Sequence, residues 1–233
     1  MMAIRLGLHY GGRFYDKYYL QCRSDADEER IQAGKDWLDA EDSAYFRRTR
    51  DAWGLNFINV ERPWRAEFLP QKLQFSKGKE LPDYVDSFPG GNTKLDHSSL
   101  VSPRLKALIE AHQTPKDGWQ FFPVEILNKD GSPYKDIYYV WWVHKKLDAI
   151  DPTSEGVKPV AGDEIDGRHY WTHIGAKTPE RLRVLKSVVS GVTAWSDFRF
   201  FPSHGIFISD ALFGDMVAQG MSGFAADSIW SEV

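Results

Sequence analysis

The pattern of apolar and polar positions predicts two copies of one structural unit, one in the middle of the chain and one near its end. In each copy a short apolar run meets a serine, Ser102 or Ser209, and apolar residues recur three and seven positions later. A serine in front of helical periodicity is typical of an N-cap, because its hydroxyl accepts a hydrogen bond from a free amide of the first turn. A glycine and a phenylalanine follow in both copies, which predicts a turn into an apolar strand. The apolar positions are Leu105 and Ile109 in the first copy and Leu212 and Met216 in the second.

Between the two copies the sequence predicts an antiparallel hairpin at the centre of a sheet. Residues 119–127 form an apolar run, and residues 137–143 read Ile-Tyr-Tyr-Val-Trp-Trp-Val. Residues 128–133, Asn-Lys-Asp-Gly-Ser-Pro, are typical of a turn. A strand that is apolar at every position is buried on both faces, so the second run belongs inside the sheet.

The N-terminal third is patterned less regularly. Strand-like runs at 3–9 and 17–23 lie on either side of Gly11-Gly12, which predicts that they pair as a hairpin. Residues 25–50 are charged throughout, with apolar residues spaced as in one or two exposed helices. Residues 55–60 predict a strand, and four prolines predict an irregular stretch from 62 to 91 with a short extended piece at 72–75.

The predicted fold class is α+β, a mainly antiparallel sheet with the two N-capped helix–turn–strand units packed on it, because strands and helices mix without βαβ alternation. Further strands are predicted at 170–174 and 194–201, a polar acidic turn at 162–167, and either a helix or a strand at 181–189. The loop Pro89-Gly90-Gly91-Asn92 is the candidate boundary between an N-terminal lobe, residues 1–91, and a repeat-bearing domain, residues 92–233. A single domain fits the sequence equally well.

Composition narrows the classes of partner. A net charge of −4 argues against nucleic acid, since phosphate binding usually requires a basic surface. Cys22 is the sole cysteine, which excludes an internal disulfide and a cysteine-based zinc site. No apolar run approaches the roughly 18 residues of a membrane span, and no signal peptide is visible. We therefore expect a cytoplasmic protein with no membrane partner.

No motif in the sequence indicates catalysis. His169 and His173 lie four apart in a strand-like segment, which places both on one face, but the glutamate of the zincin pattern is missing from it. They define one alternative, a hydrolase or metal enzyme, although ordinary histidines explain them better. No nucleophile elbow, phosphate loop or dinucleotide fingerprint occurs. We predict no catalytic residue, no metal and no cofactor.

A cluster of carboxylates after the central strand is the candidate partner-binding site. A solvated loop also explains such a cluster, but an acidic patch can attract and orient a basic protein partner. The candidate binding residues are Asp148, Asp151, Glu155, Asp163, Glu164 and Asp166.

A second alternative is a carbohydrate- or other ligand-binding module that uses exposed tryptophans, although most of the nine lie in apolar runs typical of a core. The core tryptophans include Trp141, Trp142, Trp195 and Trp230.

A series of short motifs runs in a shared order from about residue 80 to the end of the chain. They are Leu81-Pro82-Asp83-Tyr84, Leu100-Val101-Ser102-Pro103-Arg104-Leu105, Gln120-Phe121-Phe122-Pro123-Val124, Tyr138-Tyr139-Val140, Asp148-Ala149-Ile150-Asp151 with Ser154, Asp197-Phe198-Arg199-Phe200, Ile208-Ser209-Asp210-Ala211-Leu212 and Gly223-Phe224. With them the chain resembles the immunity-protein-eleven family of bacterial polymorphic toxin systems, formerly a domain of unknown function. In the first third, Lys17-Tyr18-Tyr19-Leu20 resembles the opening strand of that family.

The resemblance implies a non-enzymatic cytoplasmic protein that binds and neutralises a cognate secreted toxin. It brings no catalytic residue and no cofactor. We place the toxin contact on the acidic stretch from Asp148 to Asp166, because its charge follows directly on the predicted central strand. The sequence leaves open which toxin is bound and whether the protein associates with itself.

Overall fold

The computed structural model describes residues 1–8, 19–49, 63–85, 98–165, 168–173, 180–197, 199–201 and 205–233. The elements in chain order are β1 (Met2–Leu8), β2 (Tyr19–Cys22), α1 (Asp25–Thr49), a 3-10 turn (Ala66–Phe68), β3 (Lys72–Lys77), β4 (Tyr84–Val85), β5 (Ser98–Val101), α2 (Pro103–Ala111), β6 (Trp119–Leu127), β7 (Tyr138–Val143), β8 (Lys146–Leu147), β9 (Val157–Ile165), β10 (Arg168–His173), β11 (Arg183–Val184), α3 (Lys186–Val189), β12 (Ala194–Asp197), β13 (Phe200–Phe201), β14 (Phe207–Ser209), α4 (Asp210–Ala218) and β15 (Phe224–Glu232).

The strands assemble into three sheets. Sheet I has the order β2-β3-β6-β7-β5-β4, sheet II the order β11-β15-β1-β14-β12-β8, and sheet III the order β13-β10-β9. Most neighbouring strands are antiparallel, while β3–β6, β11–β15, β8–β12 and β10–β13 are parallel pairs. The predicted α+β class with mainly antiparallel sheets is confirmed.

The two predicted helix–turn–strand units are both present. The first unit, unit A, is β5–α2–β6, and the second, unit B, is β14–α4–β15. Each helix is capped by its serine: Ser102 Oγ accepts from the N–H of Leu105 at 3.1 Å, and Ser209 Oγ accepts from the N–H of Leu212 at 3.3 Å. All four apolar positions predicted to face the core are buried, namely Leu105, Ile109, Leu212 and Met216.

Both units occupy the same place in equivalent sheets. In sheet I, β5 and β6 lie on either side of β7 and run antiparallel to it, and in sheet II, β14 and β15 lie on either side of β1 in the same way. Outside them, β3 joins β6 in parallel as β11 joins β15, and β4 joins β5 as β12 joins β14. Five strands therefore have the same order and directions in both sheets. The middle strand differs in its connection, because β7 follows β6 in the chain whereas β1 precedes both of its neighbours by about 200 residues.

The central hairpin of sheet I is also confirmed. Strand β6 pairs with β7 from Trp119 opposite Val143 to Val124 opposite Tyr138. In the connecting turn, Gly131 has a φ of +85°, a conformation that glycine adopts without steric cost. The faces of β7 contribute to different cores: its even-numbered residues pack with Ile31 of α1, whereas Trp141 and Val143 pack with residues of α2 and α4.

The predicted pairing of the first two strands is wrong. Strand β1 pairs with β14 and β15, and β2 pairs instead with β3 in the other sheet. Isolated two-stranded hairpins are marginal in water, whereas the position between β14 and β15 buries Ala3, Ile4 and Leu6 almost completely. Long-range burial therefore overrides the local turn signal at Gly11-Gly12.

Several smaller predictions have mixed outcomes. The charged segment forms one helix, α1, and the short extended piece at 72–75 is part of β3. The segment 181–189 holds both a strand, β11, and a short helix, α3. The turn predicted at 162–167 is wrong over 162–165, because those residues lie on β9, where Ile165 pairs with Arg168 of β10. The strand predicted at 55–60 and the loop at 89–92 lie outside the described residues.

Helix α1 is 25 residues long but highly charged. Across the part of the chain that the structure describes, no helix is both long and apolar enough to cross a membrane.

Candidate partner-binding site

The acidic segment begins directly after β8, the strand by which the chain passes from the central hairpin of sheet I into sheet II. Strand β8 follows β7 closely and pairs in parallel with β12, with Leu147 opposite Asp197. The next residue, Asp148, is half-buried, and its Oδ1 accepts from Arg199 Nε at 2.7 Å and also from Arg199 Nη2. Asp148 therefore forms an ion pair that joins the segments following the neighbouring strands β8 and β12.

Asp197 binds the backbone of the same segment. This carboxylate is buried, and it accepts from the N–H groups of Ala149 at 2.8 Å, Ile150 at 3.2 Å and Arg199 at 3.0 Å. Burial raises the pKa of Asp197 to about 6, the nearby Asp148 adds to the rise, and the hydrogen bonds and Arg199 oppose it. Asp197 therefore has a structural role, because its hydrogen bonds hold the backbone at Ala149 and Ile150 in place.

Asp151 is only 7% exposed and has structural partners. Its Oδ1 accepts from the N–H and the hydroxyl of Thr153 at 2.9 and 2.8 Å, and its Oδ2 lies 3.1 Å from Arg183 Nε. Ser154 accepts from the N–H of Arg183 at 3.0 Å and donates to its carbonyl at 3.2 Å. The segment is therefore fastened to β11 by side-chain and main-chain bonds.

Glu155 has a different environment from Asp148 and Asp151. The side chain of Glu155 is 76% exposed and only 3.6 Å from Arg181 Nε at its nearest approach. Asp163 and Glu164 lie on β9, where Glu164 pairs with His169 of β10. Asp166 lies outside the described residues. Of the three predicted residues with described side chains, Asp148 and Asp151 are therefore tied into the fold and Glu155 is exposed.

The two histidines of the metal alternative lie on β10, with His173 opposite Val157 of β9. Among the described side chains, no group of three or more histidine, cysteine, aspartate or glutamate residues converges as a metal site. The side chains of His169 and His173 are not among them.

The tryptophans lie where the sequence predicts a core. Trp141, Trp142, Trp195 and Trp230 are all at most 3% exposed. None of the tryptophans that the structure describes has a freely exposed ring. Stacking on a sugar requires an accessible ring face, so the described surface gives no support to the carbohydrate-binding alternative.

Comparison with known families decides the class of protein. The model of the immunity protein family (Imm11) matches residues 32–229, which is most of the chain. The chain belongs to the immunity protein family (Imm11). The match covers unit A, unit B as far as Ile229 of β15, and the whole acidic segment from Asp148 to Asp166. The comparison with curated proteins gives no significant match.

In this Imm11 protein the acidic segment is evident from the sequence, but the residues that hold it in place are not. Arg183 and Arg199, the cationic partners of Asp151 and Asp148, lie 32 and 51 positions away, so charge density along the chain gives no sign of them. The one available signal for Arg199 and Asp197 was their place in the motif Asp197-Phe198-Arg199-Phe200.

Proposed function

We propose that this protein binds a cognate toxin domain in the cytoplasm and neutralises it by stoichiometric binding, without catalysis. The observation that supports this proposal is the match to the immunity protein family over residues 32–229. Such a protein needs a stable scaffold that carries a specific, charge-complementary face. Two equivalent sheets joined through capped helices form such a scaffold, on which surface segments can vary without disturbing the core.

Co-expression with a candidate toxin domain encoded by a neighbouring gene tests the proposal. We expect the protein to restore growth and to co-purify with the toxin domain as a stable complex. The matched control is the same toxin expressed with an unrelated Imm11 protein, which must not restore growth. A toxin of confirmed activity that is neither bound nor neutralised would contradict the proposal.

We further propose that the toxin contacts the acidic segment through its later part, from Glu155 to Asp166. Asp148 and Asp151 are already paired with Arg199 and Arg183, so their part is to hold the segment against sheet II. Glu155 is exposed and weakly paired, and Asp163 and Glu164 follow on β9, with Asp166 directly after that strand. An exposed carboxylate with a distant internal partner, as at Glu155, can pair with a basic surface at little cost in desolvation.

Charge reversal tests this placement of the contact. The triple variant Asp163→Lys, Glu164→Lys, Asp166→Lys should bind the toxin domain more weakly, mainly through a slower association rate at low ionic strength. The control variant is Asp25→Lys, Glu28→Lys, Glu29→Lys, which reverses three exposed charges on α1 and changes the net charge by the same amount. Equal losses of affinity in both variants would show that net charge alone causes the weaker binding. An unchanged association rate in the triple variant would place the contact elsewhere.

A further inference from the structure

Strand β1 lies in the interior of sheet II. It lies between β14 and β15 and is antiparallel to both, and its two neighbours are formed by residues 207–209 and 224–232. Its backbone is in register with β15 from Met2 opposite Ser231 to Leu8 opposite Phe224. Strand β1 thus completes a sheet whose other strands lie at least 138 residues later in the chain.

The position selects its strand by side chains as well as by backbone bonds. Ala3 is fully buried on one face of sheet II, and Ile4 and Leu6 are each 3% exposed on the other. Arg5 lies on the same side as Ala3, where its Nη1 is 2.8 Å from Asp227 Oδ2 and its guanidinium stands 5.3 Å from the ring centre of Phe200. The sequence requirement is therefore small, aliphatic, cationic, aliphatic.

The equivalent position in sheet I is filled differently. There β7 continues from β6 through the turn at residues 128–133, so the middle strand is joined to its neighbour by a short turn. In sheet II no such turn connects β15 to β1, because β1 begins at Met2 and β15 ends at Glu232. The pairing of β1 is accordingly an association between distant parts of the chain.

We infer that the groove between β14 and β15 is a strand-acceptor site for an extended peptide of the pattern Ala-Ile-Arg-Leu, and that the N-terminal strand of a second copy of this chain can fill it. Main-chain bonds to both neighbours supply affinity, and the alternating side chains supply specificity, as in strand-addition complexes. In the resting protein the chain's own β1 occupies the site and competes at a high effective concentration. The site becomes available to a second copy when the resident strand is weakened or displaced.

The test uses the full chain with a weakened β1 and a synthetic peptide of residues 1–8. Ile4→Asp places a charge in the core next to Leu6 and should displace β1, while Ile4→Ala is a milder variant that retains the fold. We expect the wild-type peptide to raise the urea midpoint of either variant in a saturable manner. A labelled peptide should bind the Ile4→Asp chain at least about tenfold more tightly than the wild-type chain, whose own strand competes.

The matched control is the same peptide carrying Ile4→Asp, which must neither bind nor stabilise. The site is refuted if the wild-type peptide leaves the urea midpoints of both variants unchanged, or if the control peptide stabilises them equally. Variants as stable as the wild type would also refute it, because β1 would then contribute nothing to sheet II. Toxin binding by the wild-type chain is unaffected by these outcomes, so the proposed function stands or falls separately.

Discussion

The Asp83 carboxylate bonds to Ser222, although 139 positions separate the two residues in the chain. Its Oδ2 accepts from the N–H of Ser222 at 3.0 Å and from its hydroxyl at 3.1 Å, and its Oδ1 accepts from the capping hydroxyl of Ser102 at 2.7 Å. The mirror-image contact joins Asp117, in the turn after α2, to the N–H of Thr193 before β12 at 2.6 Å. Each contact therefore fastens the turn after one unit's helix to the start of β4 or β12, the strand that lies beside the other unit.

Removing either carboxylate should loosen the junction between the units. We predict that Asp83→Ala and Asp117→Ala each lower the free energy of unfolding by about 1–3 kcal/mol, because each leaves backbone N–H donors without their acceptor. Urea denaturation followed by tryptophan fluorescence measures the change. Asp136→Ala, at an exposed position in a loop, is the control and should leave the unfolding midpoint unchanged.

The stability that Asp83 contributes to this junction should decrease in acid. Burial alone would raise the pKa of Asp83, but hydrogen bonds from Ser102, Arg104 and Ser222 outweigh burial and lower the pKa below its ordinary 3.8. The stabilisation by Asp83 is therefore fully present above the ordinary pKa of 3.8, and it is lost as the pH falls through the lowered pKa of the folded state. Wild type and Asp83→Ala should converge in stability in strong acid, and a constant difference at all pH values would contradict this account of Asp83.

The turn before β15 has room for glycine alone. Gly223 has a φ of +94°, and a Cβ atom there would lie 2.1 Å from the carbonyl oxygen of Tyr84. We predict that Gly223→Ala destabilises the protein by about 2–5 kcal/mol, since it combines backbone strain with steric overlap. Gly214→Ala is the matched control, because a Cβ there meets no atom within 4 Å and alanine favours the helical conformation by up to about 1 kcal/mol. Thermal unfolding should move in opposite directions for the two variants.

The buried Asp197 should make stability fall as the pH rises through the weakly acidic range. Because burial raises its pKa to about 6, the folded state holds a proton between the ordinary value of 3.8 and about 6 that the unfolded state has released. The loss over that window is on the order of 3 kcal/mol. In Asp197→Asn this side chain cannot titrate, so we predict that the stability of wild type relative to the variant decreases from pH 4 to pH 7. A pH-independent difference would show that Asp197 keeps its ordinary pKa.

Because the two sheets are equivalent, we predict that a circular permutant of this chain folds. Joining residue 233 to residue 1 by a short turn would connect β15 to β1 as β6 is connected to β7, and new ends can be opened in the turn at 128–133. We expect this permutant to fold with the circular dichroism spectrum and cooperative unfolding of the parent chain. A control permutant opened within α2 should fail to fold. Failure of both would contradict the equivalence of β1 and β7.

The sequence predicted those parts of the fold whose causes are local. Ser102 and Ser209 bond to amides three residues away, and the turn at 128–133 joins strands adjacent in the chain, so a short window contains each signal. The partners of β1 lie more than 200 residues from it, and no local pattern distinguishes that pairing from a hairpin across Gly11-Gly12.

The candidate site was predictable to the same limited extent. A dense run of acidic residues locates a charged segment, but charge alone does not tell a surface carboxylate from a buried, paired one. Asp151 and Glu155 are four positions apart, yet one is held by Arg183 inside the fold and the other is exposed. That difference arises from the packing of β11 against the segment and so becomes visible only in three dimensions.

The most direct measurement is a titration of a fixed amount of active toxin domain with the purified protein, with toxin activity and complex formation recorded together. Stoichiometric neutralisation predicts that activity falls linearly and vanishes at a fixed molar ratio, at the same point where all toxin is in the complex. Loss of activity at far lower amounts of protein, or full toxin activity in the presence of saturating complex, would contradict it.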